Sequence, residues 1–239
     1  MTPEREARIA SAMARRQRDL HAIIENVDDP HNLGAILRSC DAVGVGTVHL
    51  IYHPSTELGA GSGHKTPNMR DLRTKAAASA AKWLEIKTWR SVEECVAFLR
   101  SRVGACATHV RSSVGAGSPR PAGDGVGCRD MKAGFPGIDD HDGGASHIQQ
   151  GGETPPLHLY VATLSSSGHA PWDLDLASPC VIAVGNEHEG PTVELVRAAD
   201  GIITIPMQGF VESFNVSVAA AICLAEAMRQ RICRGSYQM

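Results

Sequence analysis

The chain has 239 residues, of which 43% are hydrophobic, so it can bury a sizeable core, and we expect one domain that carries an insertion. Its formal net charge of −3 gives no global sign of nucleic-acid binding, so any RNA site has to be a local patch. Seven cysteines without metal-type spacing indicate reduced thiols and no disulfide framework, and no apolar run is long enough to span a bilayer, so we expect a cytoplasmic protein without a membrane partner.

The first predicted element is a helix over residues 2–18, with Thr2 as N-cap and Pro3 at the first helical position. We assign residues 1–19 to an N-terminal extension that precedes the main domain. The helix carries a local basic patch that could neutralise RNA phosphates, although a basic helix face is ordinarily only solvated. The candidate RNA-binding residues of this patch are Arg5, Arg8, Arg15 and Arg16.

A strand is predicted over residues 21–25, and a helix follows from about Asn32 to Gly44. Apolar residues recur at helical spacing in this helix, and Arg38 lies off their stripe. An arginine on the polar face of a helix is ordinarily a solvated charge. Because this helix follows a strand-to-helix turn, the alternative is a side chain that faces a ligand cleft, and the pattern alone leaves both interpretations open.

The middle of the chain predicts a strand over residues 47–52, a polar connection, a strand over residues 83–87 and a helix from Ser91 to Arg102, with Ser91 and Glu94 as a capping box. Residues 111–156 then hold 11 of the 24 glycines and 5 of the 13 prolines. Such a segment buries too little apolar surface to offset the entropy of ordering it, so we expect a disordered insertion. Its histidines and cysteine lack the spacing of a zinc site, so we expect no metal.

Order is predicted to resume with a strand over residues 157–162 that ends at Thr163. A buried strand over residues 180–184 then leads into the glycine-bounded loop 185–191, with Pro191 expected in the first turn of a helix over residues 192–199. A strand over residues 202–205 and a loop precede Asn215, the expected N-cap of a helix over residues 216–231. Strand ends that lead into glycine-containing loops predict a ligand site, although spacing alone also fits glycines that only turn corners.

Three blocks of the sequence resemble the three motifs of the SPOUT-superfamily RNA 2′-O-methyltransferases and occur in the family's order: residues 26–42, residues 185–190, and residues 205–207 together with 212–221. Residues 1–17 also resemble the start of the TrmH branch, which methylates the ribose of guanosine-18 in the D loop of tRNA. The resemblance implies an α/β trefoil knot with a mainly parallel sheet flanked by helices over residues 20–232. It also implies S-adenosyl-L-methionine as cofactor, tRNA as partner and a homodimer.

Carried over by position, the resemblance implies that the cofactor pocket is lined by residues from four loops. Gly190 is expected to allow close approach of the backbone. A second stretch, residues 105–109, also resembles the family strand that ends at the pocket, so Thr108 is an alternative to Thr163. The implied cofactor-binding residues are Thr163, Gly185, Gly190, Ile205, Met207, Phe214 and Asn215.

The resemblance also implies that Arg38 is the catalytic arginine, accompanied by Asn32, Glu187, Ser213 and Asn215. Arginine acts as a base only in a special environment, so an equally physical role is that of a fixed cation facing the developing alkoxide. Glu187 could hold either Arg38 or a loop N–H. Both questions stay open at the level of sequence.

Two other functions remain as alternatives. The chain ends at residues 233–239 without the long basic tail of many TrmH-type enzymes, which weakens tRNA as the substrate more than it weakens methyl transfer. The alternatives are a 2′-O-methyltransferase for another tRNA or rRNA ribose, and a non-catalytic RNA-binding protein with the SPOUT fold. Because residues 216–227 are apolar or small on most helical faces, we expect the last helix to serve a dimer interface.

Overall fold

A computed structural model of the protein describes residues 2–53, 82–102 and 156–237. These residues form five α-helices, six β-strands and a single 3₁₀ turn at Pro171–Asp173. In chain order the elements are α1 (Pro3–Ala14), β1 (Gln17–Glu25), α2 (Pro30–Val43), β2 (Val45–Ile51), β3 (Glu85–Trp89), α3 (Val92–Arg102), β4 (His158–Ala162), β5 (Cys180–Val184), α4 (Val193–Ala198), β6 (Gly201–Ile203) and α5 (Val216–Cys233).

The six strands form one sheet in the order β3-β2-β1-β5-β4-β6, and every pair of neighbouring strands is parallel. The predicted α/β class with a mainly parallel sheet flanked by helices is confirmed. The carboxyl ends of all six strands therefore meet at one edge of the sheet. The strand order reverses between β1 and β5, and ligands of open α/β sheets bind beside such a reversal.

Both faces of the sheet are covered, which explains the nearly continuous apolar runs of its central strands. All five residues of β5 are buried, and they alternate between two apolar clusters. Ile182 and Val184 pack with α2 and α5 on one face, whereas Val181 and Ala183 pack with α3 and α4 on the other. The helices are thereby fixed against the sheet, and the loops at its carboxyl edge remain available to form a site.

Predicted boundaries of two helices are wrong. The N-terminal helix ends at Ala14, because Gln17 already pairs with Val45 in the sheet, so β1 begins within the predicted extension of residues 1–19. The later boundary error concerns Pro191, which precedes the α4 helix, since Thr192 is its N-cap and accepts a hydrogen bond from the Leu195 N–H. The predicted cap at Ser91 is confirmed by a hydrogen bond from the Glu94 N–H to the serine hydroxyl.

The segment after β4 returns to the far side of β6. The Thr163 N–H donates to the Ile203 carbonyl, and the His169 N–H donates to the Ile202 carbonyl from the opposite side. The short strand β6 is therefore held between two pieces of chain that are separated by only five residues of loop, numbers 164–168. The trefoil knot itself stays a prediction.

Several expectations concern residues outside the described ranges, among them the insertion 111–156 apart from its last residue, and Thr108. Within the described ranges, no helix is long and apolar enough to cross a bilayer, and no group of three potential ligands is placed to hold a metal ion. Cys40, Cys95, Cys180 and Cys223 are free and buried. Cys233 departs from the expectation of reduced thiols, because it is disulfide-bonded.

Candidate active site

A cavity of about 270 Å³ lies at the carboxyl edge of the sheet, beyond the ends of β4, β5 and β6. Seven consecutive residues of one loop, 185–191, form much of its wall. Its other walls come from the exit of β4, from the loop before α5 and from the first turns of α5: Ala162, Thr163, Leu164, Ile203, Ile205, Met207, Ser213, Phe214, Val216 and Ala219. The cavity therefore occupies the edge at which an α/β sheet binds its ligand.

The residues predicted to bind the cofactor converge on this cavity from loops that are far apart in sequence. Of the seven, only Asn215 does not line the wall, and it instead caps α5 by accepting a hydrogen bond from the Ser217 N–H at 2.9 Å. Ser213, from the predicted catalytic set, also lines the cavity. The six predicted residues in the wall are Thr163, Gly185, Gly190, Ile205, Met207 and Phe214.

The two glycines of the loop 185–191 have different roles. A Cβ atom on Gly185 would lie 2.1 Å from the Pro191 nitrogen, so only glycine allows the two ends of the loop to meet. Gly190 has a φ of 73° and open space where its Cβ would be. The expected close approach of backbone therefore belongs to Gly185, whereas Gly190 supplies the left-handed conformation of the turn.

Asn186 holds the start of this loop and was not predicted from the sequence. Its side chain is 8% exposed and donates from Nδ2 to the Asn26 carbonyl at 2.7 Å. Its Oδ1 accepts hydrogen bonds from the N–H groups of His188 and Glu189. Asparagine suits this position because its short side chain bonds the backbone two and three residues further on, and that tendency is the signal that could have identified it.

Glu187 joins this loop to the corner between β1 and α2. Its carboxylate accepts from the N–H groups of Asp28 at 3.3 Å and Asp29 at 3.2 Å, and from Asn32 Nδ2 at 3.0 Å. Of the two predicted partners, the loop N–H is confirmed. The Asn32 Oδ1 in turn accepts from Asn215 Nδ2 at 3.0 Å, so three of the predicted catalytic side chains form one hydrogen-bonded chain.

The corner that Glu187 holds is itself fixed to β2. The Tyr52 hydroxyl donates to the Val27 carbonyl at 3.0 Å, and the Asn26 N–H donates to the Ile51 carbonyl. Burial, together with the nearby Asp28 and Glu187 carboxylates, raises the pKa of Tyr52, so its hydroxyl remains a donor. The start of α2 is therefore positioned by neighbours on both sides.

Arg38 is exposed on α2 and, within the described residues, makes no hydrogen bond or ion pair. It does not line the cavity, so the structure does not bring it together with the other predicted catalytic residues in the way that it joins Asn32, Glu187 and Asn215.

The four predicted RNA-binding arginines divide into two groups. Arg5, Arg8 and Arg15 are exposed, and the first two line a groove of about 680 Å³ that lies on α1, away from the cavity. Arg16 instead pairs with Asp41 and donates to the carbonyls of Val45 and Trp83. The guanidinium of Arg16 is therefore used within the protein, and we retain only the other three as candidates for RNA contact.

Three comparisons place this arrangement among known proteins. A family model described as the SpoU rRNA Methylase family matches residues 19–117 and 152–225 and leaves out part of the glycine-rich segment. The tRNA (guanosine(18)-2′-O)-methyltransferase of Escherichia coli (strain K12) is 32% identical over 237 residues, which are 99% of this chain and 75% of that protein.

Two solved structures share the fold. The A. aeolicus TrmH/SpoU tRNA modifying enzyme superposes with a TM-score of 0.64 at 25% identity, over 98% of this chain and 86% of that one. The SpoU methyltransferase AviRb from Streptomyces viridochromogenes, in complex with the cofactor AdoMet, superposes with a TM-score of 0.57 at 20% identity, over 91% of this chain and 59% of that one.

Proposed function

Because this chain belongs to the SpoU rRNA methylase family, we propose that it transfers the methyl group of S-adenosyl-L-methionine to a ribose 2′-hydroxyl of tRNA, that of guanosine-18 in the D loop. The observation that carries this proposal is the cavity at the carboxyl edge, where six predicted cofactor residues and Ser213 meet. The relative from Escherichia coli, which is named for the same guanosine, supports the choice of RNA.

The wall of the cavity fits a cationic cofactor that carries an aromatic ring with apolar faces, such as adenine. Ile205, Met207 and Phe214 offer apolar contacts, and backbone groups of the loop 185–191 offer hydrogen bonds. Its ionisable lining residues are Glu187, Glu189 and His188, and none is lysine or arginine. A negative site of this kind favours the sulfonium and ammonium groups of S-adenosyl-L-methionine, which supplies an electrophilic methyl group when bound.

The residues of the chain then have to align the ribose with the methyl group and assist the loss of the 2′-hydroxyl proton. We assign Arg38 the role of a fixed cation, because its guanidinium is exposed and has no partner within the described residues. It would face the developing 2′-oxyanion and the adjacent phosphate when RNA binds. Asn32, Glu187 and Asn215 orient the start of α2 and the start of α5 around the cavity, and Ser213 lies in its wall.

RNA binding is assigned to the exposed arginines of α1 and of its C-cap, namely Arg5, Arg8 and Arg15. This helix has no buried residue, so its basic face is open along its whole length. Neutralisation of phosphates by such residues supplies affinity without sequence preference. The methyl-transfer site would then select the nucleotide. We place the protein in the cytoplasm.

A homodimer is the second part of the proposal. The α5 helix leaves Val218, Ala225 and Ile232 exposed at intervals of seven residues, a spacing that keeps them on one side. Val218 is 44% and Ile232 42% exposed, although the opposite side of the helix packs on α2. A stripe of this kind suits the same helix of a second copy. Sedimentation that shows a stable monomer at micromolar concentration would contradict this assignment.

Two alternatives remain to be separated from the proposed function: another ribose of tRNA or rRNA, and RNA binding without catalysis. Calorimetric titration with S-adenosyl-L-methionine is expected to show saturable binding, whereas a non-catalytic RNA-binding protein would show none. Methyl transfer from labelled cofactor to an unmodified tRNA transcript is then compared with transfer to the same transcript carrying adenosine at position 18. Loss of transfer with the second transcript supports guanosine-18, and equal transfer to both overturns that choice.

A further inference from the structure

Glu25 is a fully buried carboxylate at the last position of β1. Its Oε2 accepts a hydrogen bond from the Thr192 N–H at 2.8 Å, and its Oε1 accepts one from the Thr192 hydroxyl at 2.6 Å. The His53 Nε2 lies 3.0 Å from the same Oε1. A carboxyl group without solvent is retained only where hydrogen bonds compensate for its lost hydration, so Glu25 and Thr192 hold each other in place.

Thr192 directly follows the loop 185–191, which forms much of the wall of the cavity. It is also the N-cap of α4, because its Oγ1 accepts from the Leu195 N–H at 3.3 Å. The hydroxyl of one residue therefore donates to Glu25 and accepts from the helix. Neither Glu25 nor Thr192 lines the cavity, so neither of them reaches a ligand there.

The loop is fastened at both ends to adjacent residues of β1 and its exit. Its start is held by the bond from Asn186 to the Asn26 carbonyl, and its end by Thr192 on Glu25. The two ends touch each other at Gly185 and Pro191, where a Cβ atom on the glycine would be 2.1 Å from the proline nitrogen. Two backbone hydrogen bonds between Asn186 and Gly190 also hold the neck together. Release of the Thr192 end is therefore expected to shift the loop relative to β1 and to displace the wall of the cavity.

We propose that Glu25 and Thr192 form a positioning pair that holds the end of the loop 185–191 against β1 and thereby sets the affinity for the cofactor. The inference rests on the proposed function, since it takes S-adenosyl-L-methionine as the ligand of the cavity. Affinity falls in proportion to the fraction of molecules whose loop is in the competent arrangement. If the loop is in the competent arrangement only one tenth of the time, the protein binds the cofactor about tenfold more weakly, which corresponds to about 1.4 kcal/mol of binding free energy.

The conservative variant Thr192→Ser and the isosteric variant Thr192→Val separate the hydroxyl from the shape of the side chain. Serine keeps both bonds of the hydroxyl, whereas valine keeps the volume and loses both. We expect Thr192→Val to weaken cofactor binding about tenfold by calorimetry and Thr192→Ser to remain within about twofold of the natural protein. At saturating cofactor, methyl transfer by Thr192→Val should recover, so that KM for the cofactor rises while kcat stays within about threefold.

A control bond of the same residue types joins β2 to β3 at one end of the sheet. The Thr47 hydroxyl donates to the Glu85 carboxylate at 3.1 Å, which is also a threonine–glutamate bond, although the Glu85 side chain is 54% exposed. Neither residue lines the cavity. Thr47→Val should leave cofactor affinity within about twofold of the natural value. Equal losses in Thr47→Val and Thr192→Val would show a general effect of removing a threonine hydroxyl and would overturn the positioning role.

Affinity is measured at a temperature at which circular dichroism shows each variant to be folded. If Thr192→Val fails to fold, Glu25→Gln replaces it, because glutamine keeps the size and one acceptor oxygen, and a several-fold loss of affinity is then expected. Natural affinity in the folded variant overturns the inference and leaves the proposed function intact. Failure of the natural protein to bind the cofactor overturns the proposed function and the inference together.

Discussion

At the amino edge of the sheet, the guanidinium of Arg231 on α5 is 1% exposed and donates to Gln17, Asp19 and the carbonyls of Leu176 and Ser178. Arg38, in the second half of α2, is instead exposed and makes no hydrogen bond or ion pair within the described residues. A residue type that offers five donors in a fixed fork is thus fully used within the protein at one position and left exposed at the other.

The amino edge and the carboxyl edge of the sheet also differ in how tightly the chain is held there. At the amino edge, the Tyr237 hydroxyl donates to the Val43 carbonyl at 2.7 Å, and Gln17 donates to the Ser236 carbonyl, so the end of the chain is tied to the start of the sheet. At the carboxyl edge, Phe210 and Val211 stand exposed in the loop before α5. From this contrast we propose that the amino edge stabilises the fold and that the carboxyl edge binds ligands, and the two roles can be tested separately.

The largest effect on stability is expected from Arg231→Ala. The change leaves the carbonyl groups of Leu176 and Ser178 without their donor in a buried position, which costs about 3 kcal/mol of unfolding free energy. Urea unfolding measures this loss. Arg234→Ala is the control, because Arg234 is exposed and bonds only Ser178 and Asp175, and it should cost about 0.5 kcal/mol or less. Equal costs for the two variants would contradict the structural role of Arg231.

Arg38→Ala should have the opposite profile. Its benefit arises in the transition state, so we expect about a hundredfold loss in kcat, or about 2.7 kcal/mol, with unchanged unfolding free energy and cofactor affinity. Arg38→Lys keeps the charge and loses the planar fork, so substantial rescue favours a point charge, and no rescue favours bidentate orientation or base chemistry. Arg18→Ala removes another exposed arginine and serves as the control. A natural rate in Arg38→Ala would make Arg38 a solvated residue.

A smaller effect that involves both stability and binding is expected at Asn215. Asn215→Ala removes the cap of α5 and should cost about 1 kcal/mol of unfolding free energy. Asn215→Ser restores a good capping side chain but loses the bond to Asn32, so it should recover the stability without restoring the orientation of the cavity wall. Urea unfolding and calorimetric titration of both variants separate the two contributions, and identical behaviour of the two variants would argue against them.

The parts of the fold that were predicted correctly are those set by local pattern. The bounds of β5 and the cap at Asn215 follow from a short apolar run and from a residue that favours N-cap positions, and both depend only on neighbouring residues. The end of α1 was missed because the pairing of Gln17 with Val45 overrides the helical pattern that continues through Arg16.

The contacts that were missed at the site join residues that are far apart in sequence. Glu25 is a polar residue at the end of a strand, and its burial depends on Thr192, which lies 167 positions later. Arg231 was expected only to end a helix, and its partners lie at the start of β1 and before β5. Motif resemblance located the residues around the cavity, but only the folded chain shows which of them hold one another.

The most direct test of the account is mass-spectrometric nucleoside mapping of an unmodified tRNA transcript after incubation with the protein and S-adenosyl-L-methionine. The assignment of the carboxyl-edge cavity as a methyl-transfer site predicts one 2′-O-methylguanosine at position 18, with the methyl group on the ribose, and its absence when Arg38→Ala is used under the same conditions. A methyl group on a base, or no methylated nucleoside from a protein that is folded and binds the cofactor, would contradict it.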